Sequence, residues 1–216
     1  MMKKAIIAAA VAALIAASAA NAGVTVYGKV HVAIDYFDDD SSGWDDSQWQ
    51  VKSRASRIGF KGTEDLGNGM SLIWKAESGY DFADGGAWNA ARNAYIGLTG
   101  DWGTFLYGRH DTPYTMAYYS TGIDAMGDTA MDMNGLGAFH EVRASNAIAY
   151  VSPNFNGLTF AGAIVPGEGG PQGDGLADMW SVSAMYSNNG LKLAAAYEDL
   201  ECEADTASDA HSCDGN

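Results

Sequence analysis

Val24-Thr25-Val26-Tyr27-Gly28-Lys29-Val30-His31-Val32-Ala33-Ile34-Asp35-Tyr36 is the stretch that decides the fold. Val24, Val26, Val30, Val32, Ile34 and Tyr36 share one parity, with Gly28 the single gap, and Thr25, Lys29, His31 and Asp35 fall between them. A period of two is a strand with one apolar face and one polar face. The run is longer than the ~5–6 residues of an ordinary strand and exceeds the roughly 9–11 residues with which a tilted strand crosses a bilayer. It follows a segment that reads as a secretory signal: Lys3 and Lys4, an apolar run from Ile6 to Ala17, and the small-residue cleavage pattern Ala20-Asn21-Ala22. That apolar run is short of the ~20 residues of a spanning helix. Residues 1–22 are therefore expected to be a signal peptide. Residues 23–216 are expected to form one all-β domain, an antiparallel transmembrane β-barrel of the outer membrane, reached through the periplasm.

Composition agrees. The chain carries a formal charge of −15, and loss of Lys3 and Lys4 takes it to −17. A strongly acidic chain lacks the basic footprint of a nucleic-acid binder. Much of the acid lies in blocks, Asp38-Asp39-Asp40, Asp45-Asp46 and Glu198 to Asp214, as solvated loops do. Cys202 and Cys213 share the last of these, and in an exported chain an isolated pair reads as a disulfide. A metal pair with His211 is the rival, but no second histidine or CxxC lies near.

Beyond Tyr36 the pattern is strand, loop, strand, tight turn. Strands are expected to about Glu64, then at Met70–Asp81, Asn89–Leu98, Thr104–Arg109, Arg143–Val151, Leu158–Val165, Met179–Tyr186 and from Leu191. Leu66-Gly67-Asn68-Gly69, Gly100-Asp101-Trp102-Gly103 and Ser187-Asn188-Asn189-Gly190 are the turns. Asp111 to Glu141 has no period of two, with a helical turn expected near Ile123–Met131. A loop this long is usually functional. Nine strands is an odd count, so these residues are expected to be the N-terminal portion of a longer barrel.

Three stretches add a resemblance: Ser56-Arg57-Ile58-Gly59-Phe60-Lys61-Gly62-Thr63-Glu64-Asp65-Leu66-Gly67, Ala94-Tyr95-Ile96-Gly97-Leu98, and Gly103-Thr104-Phe105-Leu106-Tyr107-Gly108-Arg109. With Val26-Tyr27-Gly28-Lys29 they resemble the general trimeric porins of Gram-negative bacteria, from residue 24 to about 200. The resemblance implies a sixteen-stranded barrel whose third long loop folds inward, and Asp111–Glu141 sits where that loop belongs. It implies passive diffusion of small hydrophilic solutes and ions, a homotrimer set in outer-membrane lipid and lipopolysaccharide, and no cofactor. It also implies a constriction with basic wall residues Lys29, Arg57, Arg92 and Arg143 facing acids of the loop. Parity supports Lys29, Arg57 and Arg143. Arg92 shares parity with the apolar Ala94, Ile96 and Leu98. The acids are expected among Asp124, Asp128 and Asp132, which recur every four residues and would align on a helical turn.

No HExxH or GxSxG marks an enzyme, and no catalysis or dedicated metal site is expected. Asp38, Asp40, Ser42 and Gly43 begin like a calcium loop, but Trp49 stands where the bidentate Glu belongs. A non-conducting structural or adhesive barrel is the alternative function.

Overall fold

The structure is a computed structural model that describes residues 23–37, 48–85, 88, 90–129, 132–133, 139–168 and 174–200. The segments Gly23–Lys29 (β1), Val32–Phe37 (β2), Gln48–Ser53 (β3), Arg57–Gly67 (β4), Met70–Gly79 (β5) and Ala90–Gly100 (β6) are strands, as are Gly103–Asp111 (β7), Arg143–Val151 (β8), Leu158–Val165 (β9), Met179–Asn188 (β10) and Leu191–Asp199 (β11). One nine-stranded sheet runs β1-β4-β5-β6-β7-β8-β9-β10-β11, and β2 pairs with β3. All pairs are antiparallel. Within this span the sheet is open, with β1 and β11 at its edges.

The first expected strand is β1 and β2 in sequence, and its partner is β3 and β4. Two residues lie between Lys29 and Val32, but three lie between Ser53 and Arg57, which are their partners. The extra residue is absorbed where Ala55 takes φ +44°. Ser56 closes the gap: its hydroxyl accepts from the His31 amide at 2.9 Å and donates to the His31 carbonyl at 3.0 Å. Both backbone groups of His31 are thus paired across the interruption.

The sheet is inside out by the standard of a water-soluble domain. Ile34 is 72% exposed and Trp49 73%, and Val24, Val26, Phe105, Tyr107, Leu193 and Tyr197 are exposed with them. A continuous apolar face of this kind belongs against lipid. Among the described residues no helix is long and apolar enough to cross a membrane.

Burial is concentrated on the other face, under the long loop. The helix lies earlier than the expected Ile123–Met131: it is Pro113–Thr121 (α1). Thr112 caps it by accepting from the Thr115 amide, Pro113 opens it, and Gly122 ends it in the left-handed region at φ 65°. Beyond Gly122 the chain runs in successive tight turns, closed by Ala125 to Ile123, Thr129 to Met126 and Asp132 to Thr129. Helix α1 lies mainly against β10 and β11. The covered wall is built of small residues, with Ala147, Ala149, Ala161, Ala163, Ser181 and Ser183 all buried. The Tyr114 amide donates to Ser181 Oγ at 3.0 Å.

A second constraint sits in β7. Gly108 has φ +127°, and a Cβ there would lie 2.5 Å from the Ala94 carbonyl oxygen of β6. Gly108→Ala is expected to cost about 1–3 kcal/mol, since strain and a backbone clash add. The check is the temperature at which the folded form converts to the unfolded mobility on unheated-versus-heated gels. An unchanged midpoint would contradict the close β6–β7 approach.

Candidate functional site

The polar face of β1, β4, β5 and β6 gathers charge around one carboxylate. The register sets Tyr27 opposite Gly59, and Gly59 opposite Glu77, in a row across three strands. A Cβ on Gly59 would lie 2.5 Å from the Tyr27 ring. With hydrogen there instead, the ring lies across β4 and the hydroxyl donates to Glu77 Oε2 at 2.7 Å. Arg92 Nε reaches Glu77 Oε1 at 2.7 Å, Lys75 Nζ reaches Oε2 at 3.3 Å, and Arg57 Nε lies 3.9 Å from Oε2. Lys61 and Lys75 also stand over the Tyr27 ring, 5.6 and 5.7 Å from its centre. Three cations share one carboxylate, so this wall keeps a net positive charge.

Simple parity sets Arg92 with the apolar residues of β6, yet it lies with Glu77. The reason is a β-bulge. Ala76 pairs with Ala94 and Ser78 with Ala91, so Arg92 and Asn93 together oppose the single residue Glu77. The extra residue turns Arg92 to the polar face. A second register shift lies between Gly108 and His110, opposite Ser145 and Asn146. Alternation from Ile148 and Tyr150 therefore does not run through to Arg143. Its place is fixed by an ion pair, Nε to Asp111 Oδ1 at 2.8 Å, and Asp111 Oδ2 also accepts from Asn93 Nδ2 at 2.8 Å. The charges of Arg143 and Asp111 both act on the Tyr119 hydroxyl of the loop.

The long loop is pinned at its neck. The Thr112 amide donates to the Val142 carbonyl at 3.0 Å, the Thr115 hydroxyl donates to the same oxygen at 3.1 Å, and the Val142 amide donates to Thr115 Oγ1 at 2.8 Å. From this neck the loop reaches from the β10–β11 wall to β1, where Asp128 meets Lys29 Nζ at 2.5 Å.

The three loop acids part company. Asp128, at φ 63°, turns to Lys29. Asp124 and Asp132 gather instead with Glu141, with one oxygen of each within 4.8 Å of the others. Burial, reinforced by the charges of Asp132 and Asp128, holds the Glu141 carboxyl above the usual carboxylate range. Burial beside Asp124 likewise raises Tyr118, and burial beside Glu141 raises Tyr119. Lys29, Arg57 and Arg92 thus come together with Glu77 and Asp128, and Arg143 stands at the foot of the loop. Glu77, Lys75, Tyr27, Asp111 and Glu141 join them unannounced. For Glu77 and Lys75 the signal was present, since both sit on the polar parity of β5. Cys202, Cys213 and the Asp38–Ser47 acids lie outside the described residues.

Residues 8–215 match the sequence family described as Gram-negative porin. Among similar proteins, a chitoporin of Vibrio furnissii is 32% identical over 81% of this chain and 50% of its own length. An outer membrane porin protein of Bordetella pertussis is 30% identical over 95% of this chain and 62% of its own. Among solved structures, an anion-selective porin from Comamonas acidovorans shares the fold with a TM-score of 0.65 at 24% identity, covering 82% of this chain and 57% of that one. An in-vitro folded OmpT of Vibrio cholerae, in a trimer form, superposes with a TM-score of 0.56 at 17% identity, covering 82% of this chain and 50% of that one. The chain therefore spans less than two thirds of the length of these relatives.

Glu77 is the residue on which the basic wall depends, and Glu77→Gln is expected to leave Arg57, Lys75 and Arg92 repelling one another. The cost should be about 2–4 kcal/mol, less than for a wholly buried pair, because the cations keep 19–28% of their side-chain exposure. Denaturant unfolding in detergent checks it, and a midpoint equal to wild type would remove Glu77 from this role.

Proposed function

The chain belongs to the Gram-negative porin family, and from that premise we propose that it forms an outer-membrane pore for passive diffusion of small hydrophilic solutes and ions. The observation that carries the proposal is the loop lodged across the polar face, with Asp128 on Lys29 and α1 on β10 and β11. It brings an acid-rich segment opposite the Arg57, Lys75 and Arg92 wall.

Opposed charges across a narrow gap set up a transverse field in a throat of reduced dielectric. Solutes with a dipole align and pass. Apolar solutes must displace ordered water and are disfavoured. No bond is made or broken and no catalytic residue is called for. Lys29, Arg57, Arg92 and Arg143 act as the basic side of the throat, and Asp124, Asp128 and Asp132 as the acidic side. Replacing Arg57 and Arg143 together with glutamine removes positive charge from the narrowest point. In a planar bilayer under a KCl gradient, the reversal potential is expected to move toward cations. The shift should shrink as salt rises from 0.1 M, where screening acts over ~10 Å, to 1 M, where it acts over ~3 Å. A reversal potential that stays put at low salt would take the basic ladder out of the throat.

The pore is proposed to act as a homotrimer. Arg109 pairs with Ala94, on the parity of Phe105 and Tyr107. It donates to Ser145 Oγ at 2.7 Å and to the Ala91 carbonyl at 3.3 Å, ordered on the outer face. An arginine exposed to mid-bilayer lipid costs roughly 2–4 kcal/mol, which favours a site at a subunit contact. Arg109→Ala is expected to lower the temperature at which the assembled form dissociates on unheated gels. An unchanged dissociation temperature would remove the support for that contact.

A further inference from the structure

We propose that Lys61 and Lys75 together bind a phosphate dianion, a reading that rests on this polar face being the lining of the pore. The two lysines are direct partners on β4 and β5. Like charges set directly opposite on neighbouring strands repel, and the long lysine stem leaves each ammonium free to swing away. They converge instead. Both ammonium groups stand over the Tyr27 ring, 5.6 and 5.7 Å from its centre. The ring face attracts each cation, so it gathers the pair, but it has no net charge with which to cancel theirs.

The surrounding wall does not supply that charge either. The register sets Thr25, Lys61, Lys75 and Tyr95 in one row across β1, β4, β5 and β6. The neighbouring row on one side holds Glu77, whose charge is divided: Lys75 Nζ lies 3.3 Å from it, behind Arg92 at 2.7 Å, and Arg57 is at 3.9 Å. The row on the other side, Gly23, Thr63, Ile73 and Gly97, has no acid. Asp65 is the next acid on this face of β4, four residues beyond Lys61, and it accepts from the Gly67 amide. Four residues of strand span about 13–14 Å, farther than the ~8 Å over which a charge acts in physiological salt. Lys61 enters none of the ion pairs among the described residues.

A mobile anion from the lumen meets the need. Each ammonium offers three donors and no acceptor. A chloride has one charge and is matched by a single lysine. A phosphate dianion has charge enough for both and oxygens enough to accept from both at once, and lysine is a strong phosphate partner through charge-assisted hydrogen bonds. The site lies on the turn side of the Glu77 row, nearer Gly67 to Gly69 than the Lys29 contact of the loop. It is therefore a station beside the throat and separate from it, where phosphate would dwell and neutralise the wall while bound.

The test is the rate at which an amine-reactive acetylating ester modifies each lysine of the full-length protein in its native assembly, read by mass spectrometry. Inorganic phosphate is titrated against potassium chloride at constant ionic strength. Lys61 and Lys75 are expected to be protected severalfold, with saturation. Lys52 and Lys192 are the references, since both are exposed and their partners in the register are Ala33 and Ser187. Their rates are expected to stay level. Lys61→Gln is expected to abolish the protection of Lys75, and Lys61→Arg, which keeps the charge, to preserve it. Wild-type rates at Lys61 and Lys75 that ignore phosphate, or that fall no further than those at Lys52 and Lys192, would overturn the proposal, so the decision does not depend on a variant folding. Conduction in potassium chloride alone tests the pore. A protein that conducts without protected lysines loses this site only, and one that does not conduct loses the pore reading.

Discussion

A peptide group in hydrocarbon has no water to turn to, so its hydrogen bonds must be made inside the protein. The rest of the molecule follows from that requirement. Antiparallel pairing joins nine neighbouring strands, so that each internal strand is hydrogen-bonded on both sides. Where the ladder breaks, at His31, the Ser56 hydroxyl accepts from the His31 amide and shares the His31 carbonyl with the Arg54 amide. Once the backbone is satisfied edge to edge, the two faces are free to carry opposite chemistry. One can be valine, isoleucine and aromatic rings, and the other can hold arginine, lysine and glutamate without disturbing the fold.

The polar face divides the work between two regions. Beneath α1, alanine and serine make a shallow, smooth wall, and the helix settles on it through short side chains and the Tyr114 amide. On β1 and β4 to β6 the side chains are long and charged, and Glu77 draws them into one group. The loop bridges the regions because its two ends are clasped together by Thr112, Thr115 and Val142. That clasp makes the loop's inward course a property of the loop as well as of the barrel. The contact between Asp128 and Lys29 then ties the described part of the loop to β1.

Strand identities and the apolar face were open to a reader of the sequence, because a period of two leaves a mark at every position. Val24 to Tyr36 carries that mark, with Gly28 its one gap, although its pairing shifts midway, since the extra residue belongs to the partner strand around Ala55. The charged ladder was legible at Lys29 and Arg57, which obey the alternation. Arg92 breaks it, because a bulge is a property of two strands and its signature is not in either one. The expected alignment of the loop acids on a helical turn fails for a related reason. A four-residue spacing aligns side chains only on a helix, and here Gly122 had already ended the helix. Asp124 and Asp132 meet Glu141 through a fold of the loop that no local spacing encodes. Glu77 was visible as a polar-face residue, but its centrality depends on Gly59 being small enough for Tyr27 to cross.

The bulge at Arg92 and Asn93 has a bearing on how such a chain can change. Deleting either residue would restore regular pairing with β5, which by itself strengthens the sheet. If arginine were the one retained, it would stand directly opposite Glu77, and regular alternation would keep its side chain on the polar face. If asparagine were retained, the charge would be lost and Glu77 would keep two cations instead of three. The irregularity therefore lets an arginine and an asparagine share the polar face opposite one glutamate, and a relative with a regular β6 should carry one of the two and lack the other.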